Sequence, residues 1–218
     1  MDTTIFKTFI LYKYLHIVYT LINIISVYFL WRVNVDKQEI FNYLDEDIIN
    51  KLSYEIKKNI KKDCVLLLIG TDKCIGDAFA PLVGSLLTSY NYIKNPVYGT
   101  IKEPIHALNI KETLDEIKNK YPDKPIFVID SMISGKGNIG DIILLNEGIF
   151  PGSAIGKKLP LSGDISLTLV VSNNEKDAIN SLTTLRLNNI YEMAKVVANS
   201  IFIALSDSPY CVSSAVLQ

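Results

Sequence analysis

The feature that most constrains the fold is a continuous apolar run at residues 65–69, followed at once by Gly70 and an acidic loop. A run this short, in which every side chain is apolar, is typical of a strand buried on both faces of a parallel sheet. The loop carries Asp72 and Asp77, and Pro81 then lies where a helix can begin. Loops at the carboxyl ends of such strands collect ligands and catalytic groups, so this loop is the first candidate site.

Buried strands alternate with amphipathic helices along the rest of the chain. This order predicts a three-layer α/β/α sandwich with a mostly parallel sheet. We expect one folded domain at 36–207, since 218 residues suffice for one substantial core. The predicted strands after the first are 97–101, 125–130, 142–145 and 165–171, and the predicted helices are 36–62, a short one after Asn109, and 182–205.

The composition excludes some classes of partner and site. A formal net charge of −1 provides no electrostatic reason to expect nucleic acid. The three cysteines, Cys64, Cys74 and Cys211, match no metal-ligand spacing and leave one unpaired in any disulfide scheme. A reducing, cytosolic setting for the folded part is therefore expected.

We interpret residues 1–35 as a hydrophobic leader. Its segment 14–31 has no charged residue and is just long enough to span a membrane, with aromatic residues at both ends. A membrane anchor and an apolar segment that packs on the domain or on a partner subunit both stay open, as does a homo-oligomer. The last residues, 208–218, end in Ser-Ala-Val-Leu-Gln, which resembles the amino side of a coronavirus main-protease cut site and suggests a processing scar.

Two carboxylates, Asp77 and Asp130, lie just beyond two strands that are predicted to be core and adjacent. If both face one crevice, repulsion raises one pKa and leaves the other group ionised, which provides an acid and a base. Such a pair can activate water against a peptide carbonyl. We expect no cofactor and no closed metal site, although a divalent metal at the carboxylates stays open. Either aspartate could instead be a helix cap or a turn former.

Other nucleophile and phosphate sites are less favoured. The chain has two histidines, His16 in the leader and His106, so a Cys74–His106 pair stays open, although neighbouring carboxylates oppose thiolate formation. The glycine-rich segment 148–156 lacks the ending of a phosphate-binding loop. It is better interpreted as a flexible loop that borders the site.

Taken together, five blocks resemble the YyaC family of sporulation proteins, which is related to the germination protease of spore-forming bacteria. The resemblance covers roughly residues 40–205, and it implies a phosphorylase/hydrolase-like fold shared with hydrogenase-maturation proteases. Asp77 and Asp130 match the aspartates proposed to be catalytic in the germination protease. The blocks are Gly-Thr-Asp at 70–72, Gly-Asp-Ala-Phe-Ala-Pro-Leu-Val-Gly at 76–84, Pro-Ile-His-Ala-Leu-Asn at 104–109, Ile-Asp-Ser-Met at 129–132, and the segment 148–156.

The resemblance implies a spore-associated endopeptidase that acts in sporulation or germination, in the cytoplasm of the sporulating cell or spore. Its substrate would be a protein or peptide, such as small spore proteins, and the aspartate pair would hydrolyse the peptide bond. The residues expected to border the site or bind substrate are Asp72, His106, Ser131, Gly152 and Ser153. The alternative is a non-catalytic sporulation protein that uses the same crevice to bind a peptide or protein partner.

Overall fold

The computed structural model describes residues 38–90, 93–151 and 161–206. The predicted leader, the predicted tail, Gly152 and Ser153 lie outside these residues, so their predicted roles stay predictions. Within the described part of the chain, no helix is both long enough and apolar enough to cross a membrane.

The described residues form six strands and five helices, with short 3₁₀ turns at Gly76–Ala78 and Glu175–Asp177. In chain order the elements are β1 Glu39–Asn42, α1 Ile48–Asn59, β2 Val65–Leu68, α2 Phe79–Ser89, β3 Val97–Tyr98, α3 Ile110–Lys120, β4 Ile126–Ile133, β5 Asp141–Leu145, β6 Ile165–Ser172, α4 Ala178–Thr183 and α5 Leu187–Leu205.

The six strands make one sheet in the order β1-β5-β6-β4-β2-β3. Strand β2 pairs in parallel with β3 and β4, and β4 pairs in parallel with β6. Strand β5 is antiparallel to both β6 and β1, so β1 runs in the same direction as the other four. The predicted mixed α/β architecture with a mostly parallel sheet is confirmed.

Strand β2 contributes to hydrophobic cores on both faces of the sheet. Leu66 and Leu68 pack in the larger core, with apolar residues of α1, α2 and α5, whereas Val65 and Leu67 pack in a smaller one, with residues of α3. Successive side chains of a strand point to opposite faces, so a strand covered on both sides must be apolar throughout. All four residues are buried, as the sequence pattern predicts.

The predicted helix at 36–62 is wrong in its first third. Glu39–Asn42 is the edge strand β1, whose register runs from Glu39 opposite Leu144 to Asn42 opposite Asp141. Asp47 then adopts a left-handed conformation (φ 61°), and α1 starts at Ile48. Pairing with β5 overrides the helical periodicity, so Ile40 and Leu44, which recur at helical spacing, are exposed.

The predicted helix at 182–205 is interrupted near its start. Helix α4 ends at Thr183 and α5 begins at Leu187. The hydroxyl groups of Thr183 and Thr184 both donate to the carbonyl oxygen of Asn180, a bond that competes with helix continuation. Because α4 and α5 are separate helices, Leu187 is exposed and does not lie on the buried face of α5.

Cys64 is expected to resist thiol reagents in the folded protein. Its side chain is buried just before β2, and burial raises the pKa of its thiol to about 12. At pH 8 roughly one molecule in 10⁴ would then carry the reactive thiolate. Cys74 is half-buried in the acidic loop. Peptide mass mapping after brief iodoacetamide treatment should find Cys74 labelled well over tenfold faster than Cys64. In urea both cysteines should be labelled. Equal labelling rates without urea would contradict the burial of Cys64.

Candidate active site

The candidate site lies at the carboxyl edge of the parallel strands, beside β2. From β2 the chain passes through α2 to β3 on one side, and then returns through α3 to β4 on the other side. The strand order therefore reverses around β2, and the loops that leave neighbouring strands there diverge. Crevices at such reversal points are where open α/β sheets bind ligands.

Asp77 is carried by the loop that leaves β2. It lies in the 3₁₀ turn Gly76–Ala78, directly before α2, and is half-buried. Its backbone carbonyl accepts the N–H of Thr71 at 3.1 Å, so the loop folds back on its own start. Pro81 falls in the first turn of α2 rather than at its first residue, and its missing N–H costs nothing there because the first four N–H groups have no partner within the helix.

Gly70 makes this fold of the loop feasible. Its φ is +151°, a conformation that residues with a side chain rarely adopt. A Cβ at this position would collide with the backbone oxygen of Asp77. Its N–H donates to the carbonyl of Ile105 at 2.8 Å. Gly70 therefore lets the backbone of Asp77 approach the end of β2 closely.

The predicted strand 125–130 places Asp130 at its end. In the structure, Asp130 lies within β4. The strand continues to Ile133 because it pairs with β6 as far as Ser172. The Asp130 side chain is 7% exposed, and its Oδ1 accepts the N–H of Ser131 at 2.8 Å. Strand β2 ends opposite Ile129, one residue earlier, so Asp130 lies at the point where the sheet opens beside β2.

Asp77 and Asp130, which we call the aspartate pair, act on each other electrostatically. Burial raises the pKa of Asp130 well above its usual range, and the charge of Asp77 raises it further. The hydrogen bond from the Ser131 N–H opposes both effects, but it is weaker. The structure thus brings together the two aspartates that lie 53 residues apart in the sequence.

His106 is held next to the start of the acidic loop. Ile105 forms a parallel bridge with Ile69, which places His106 just beyond Gly70 at the same edge. Asn109 accepts the His106 backbone N–H at 2.8 Å and donates to the carbonyl of Pro104 at 3.0 Å. Asn109 directly precedes α3, but its side chain caps no N–H of that helix and shapes this loop instead.

Two further predicted site residues, Ser131 and Asp72, are less buried than Asp130. Ser131 directly follows Asp130 and is half-buried, whereas Asp72 is exposed on the loop. Within residues 38–90, 93–151 and 161–206, no group of three or more His, Cys, Asp or Glu side chains is arranged as metal ligands.

Two leucines that the sequence does not single out support the Asp77 turn. A Cβ on Gly76 would meet the side chains of Leu182 and Leu185, so α4 and the residues after it pack directly against this turn. Both leucines looked like ordinary members of a long amphipathic helix. Their role depends on the break between α4 and α5, which periodicity does not reveal.

Comparisons with known proteins agree with the resemblance at the level of the family. The model of the family DUF1256, described as a protein of unknown function, matches residues 35–200. The uncharacterized protein YyaC of Bacillus subtilis (strain 168) is 29% identical over 150 residues, which are 69% of this chain and 73% of that protein. Since the family model spans well over half of the sequence, including both aspartates, the chain belongs to the DUF1256 family.

Proposed function

We propose that this protein is an endopeptidase that hydrolyses peptide bonds with the aspartate pair. The observation that carries the proposal is the approach of two carboxylates at the strand-order reversal, one buried and one partly exposed. A carboxylate can take a proton from water while a protonated carboxyl donates one to the peptide carbonyl. Two interacting carboxyl groups in different surroundings meet this requirement without a histidine.

The resemblance to the germination protease supports the same reaction class. Asp77 and Asp130 match the two aspartates proposed to be catalytic there, and their positions beyond two buried strands point to the same two residues. We further propose the phosphorylase/hydrolase-like α/β/α sandwich as the fold. The helices on both faces of the mostly parallel sheet are compatible with it.

The proposed biological setting is sporulation or germination, in the cytoplasm of the sporulating cell or the spore, with small spore proteins as substrates. This setting rests on the resemblance alone. Ser131 follows Asp130 in β4, His106 lies beside the start of the acidic loop and Asp72 lies on that loop. We propose that these are the described residues that contact substrate.

The test is proteolysis of a spore-protein extract by the full-length chain, compared with the Asp77→Asn and Asp130→Asn variants. Each substitution should reduce cleavage at least 100-fold, the usual contribution of a general acid or base. Asp115→Asn, on the exposed side of α3, is the matched control and should leave cleavage unchanged.

Cleavage that persists in either pair variant would refute the proposed mechanism. Failure of the folded wild type to cleave, with and without a divalent metal, would refute the endopeptidase. It would favour a protein that uses this crevice to bind a peptide or protein partner.

A further inference from the structure

The two members of the aspartate pair lie in different environments. Asp130 is inside β4 with 7% of its surface exposed. Asp77 lies on the 3₁₀ turn outside the sheet and is only half-buried. Burial disfavours the charged form of a carboxyl group, so the two groups differ in how easily each can ionise.

Among the described residues, Asp77 is the charged group that acts on Asp130. On the side of β2, Ile69 follows the strand end, and on the side of β6 the register partner is Thr168. The hydrogen bond that Asp130 accepts comes from the backbone N–H of Ser131. A single backbone N–H is little compensation for a carboxylate removed from water, and Asp77 adds a charge of the same sign.

We propose that Asp130 holds the proton of the aspartate pair and is its general acid, while Asp77 is the ionised partner and the general base. The placement of the proton follows from the surroundings of the two side chains, whereas the acid and base roles rest on the proposed endopeptidase function. The raised pKa of Asp130 has the direction that this placement requires.

The assignment orders the proton transfers in hydrolysis. The Asp77 carboxylate takes a proton from water as the water oxygen bonds to the peptide carbonyl carbon. The carbonyl π pair moves to its oxygen, which takes the proton of Asp130 and yields a diol. Asp77 then donates its proton to the amide nitrogen, the C–N bond breaks, and Asp130 recovers a proton from a diol hydroxyl. The products are a carboxylic acid and an amine, and both aspartates return to their starting states.

Infrared spectroscopy of the full-length protein with isotope-labelled aspartate tests the placement of the proton without relying on cleavage. The carbonyl stretch of a protonated carboxyl group is separate from the bands of ionised carboxylates. At pH 7 we expect this band in the wild type, its loss in Asp130→Asn, and its retention in Asp77→Asn. In Asp77→Asn the band should disappear on titration at a lower pH than in the wild type, because the repelling charge is gone.

Asp141→Asn is the control matched for burial. Asp141 is 8% exposed, but its two carboxylate oxygens accept hydrogen bonds from the Asn42 side chain and the Asn138 N–H, and the band should survive its replacement. A wild type without the band, or a band lost in Asp77→Asn and retained in Asp130→Asn, would overturn the proposal. The expected band pattern without any cleavage would overturn the endopeptidase and leave the placement of the proton supported.

Discussion

Replacing Asp130 by asparagine is expected to stabilise the folded protein at neutral pH while it abolishes the proposed cleavage. Asparagine keeps an oxygen that can accept the Ser131 N–H, and it removes a carboxyl group that is buried beside Asp77. Substitutions that remove an unfavourable group of this kind commonly add roughly 1 kcal/mol to the free energy of unfolding. For a chain of this size that raises the melting temperature by about 2–4 °C.

The gain should depend on pH in a direction that follows from linkage. The pKa of Asp130 is higher in the folded than in the unfolded protein, so between these two values the folded state binds more protons. Wild-type stability from this group therefore falls as the pH rises from about 4, the ordinary value for aspartate, through the folded pKa. Below about pH 4 both states are protonated, and the stability difference between the variant and the wild type should shrink.

Thermal unfolding of the wild type and Asp130→Asn from about pH 3 to pH 8 measures this difference. Asp72→Asn, an exposed carboxyl on the acidic loop, is the control and should change stability by less than about 0.5 kcal/mol throughout. A variant less stable than the wild type at pH 7 would show that the Asp130 carboxyl supports the fold, contrary to the electrostatics described above.

Replacing Gly84 by alanine is expected to destabilise the protein by about 3 kcal/mol, which lowers the melting temperature by about 6–12 °C. Gly84 is a buried residue of α2, and a Cβ there would collide with the backbone oxygen of Gly99, just after β3. A backbone oxygen cannot rotate away as a side chain can. Helix α2 would have to move off the sheet, and the Asp77 turn that precedes it would move as well.

The sign of this effect separates packing from helix propensity. Alanine is favoured over glycine by about 1 kcal/mol in a helix interior, so propensity alone predicts a more stable variant. Calorimetric unfolding of Gly84→Ala decides between the two. Ser89→Ala, at the exposed end of the same helix, should stay within about 0.5 kcal/mol of the wild type. An unchanged or raised melting temperature for Gly84→Ala would contradict the close approach of α2 to Gly99.

The local composition of the chain predicts the central strands well. The run at 65–69 and the core of β4 are apolar throughout because both of their faces are covered by helices. Helices α2 and α3 follow from their spacing of apolar residues. Asp130 is identifiable for a related reason, since a carboxylate next to a fully buried run is conspicuous against it.

Long-range pairing accounts for what composition does not predict. Ile40 and Leu44 fit a helical period, yet β1 is a strand because β5 supplies its hydrogen bonds from about 100 residues away. Asp130 falls inside β4 because β6 extends the pairing beyond it. The approach of Asp77 to Asp130 requires β4 to lie next to β2, and the positive φ of Gly70 turns the loop back toward the sheet. The buried strands can be predicted from their own side chains. The aspartate pair forms only when separate strands hydrogen-bond in one particular order.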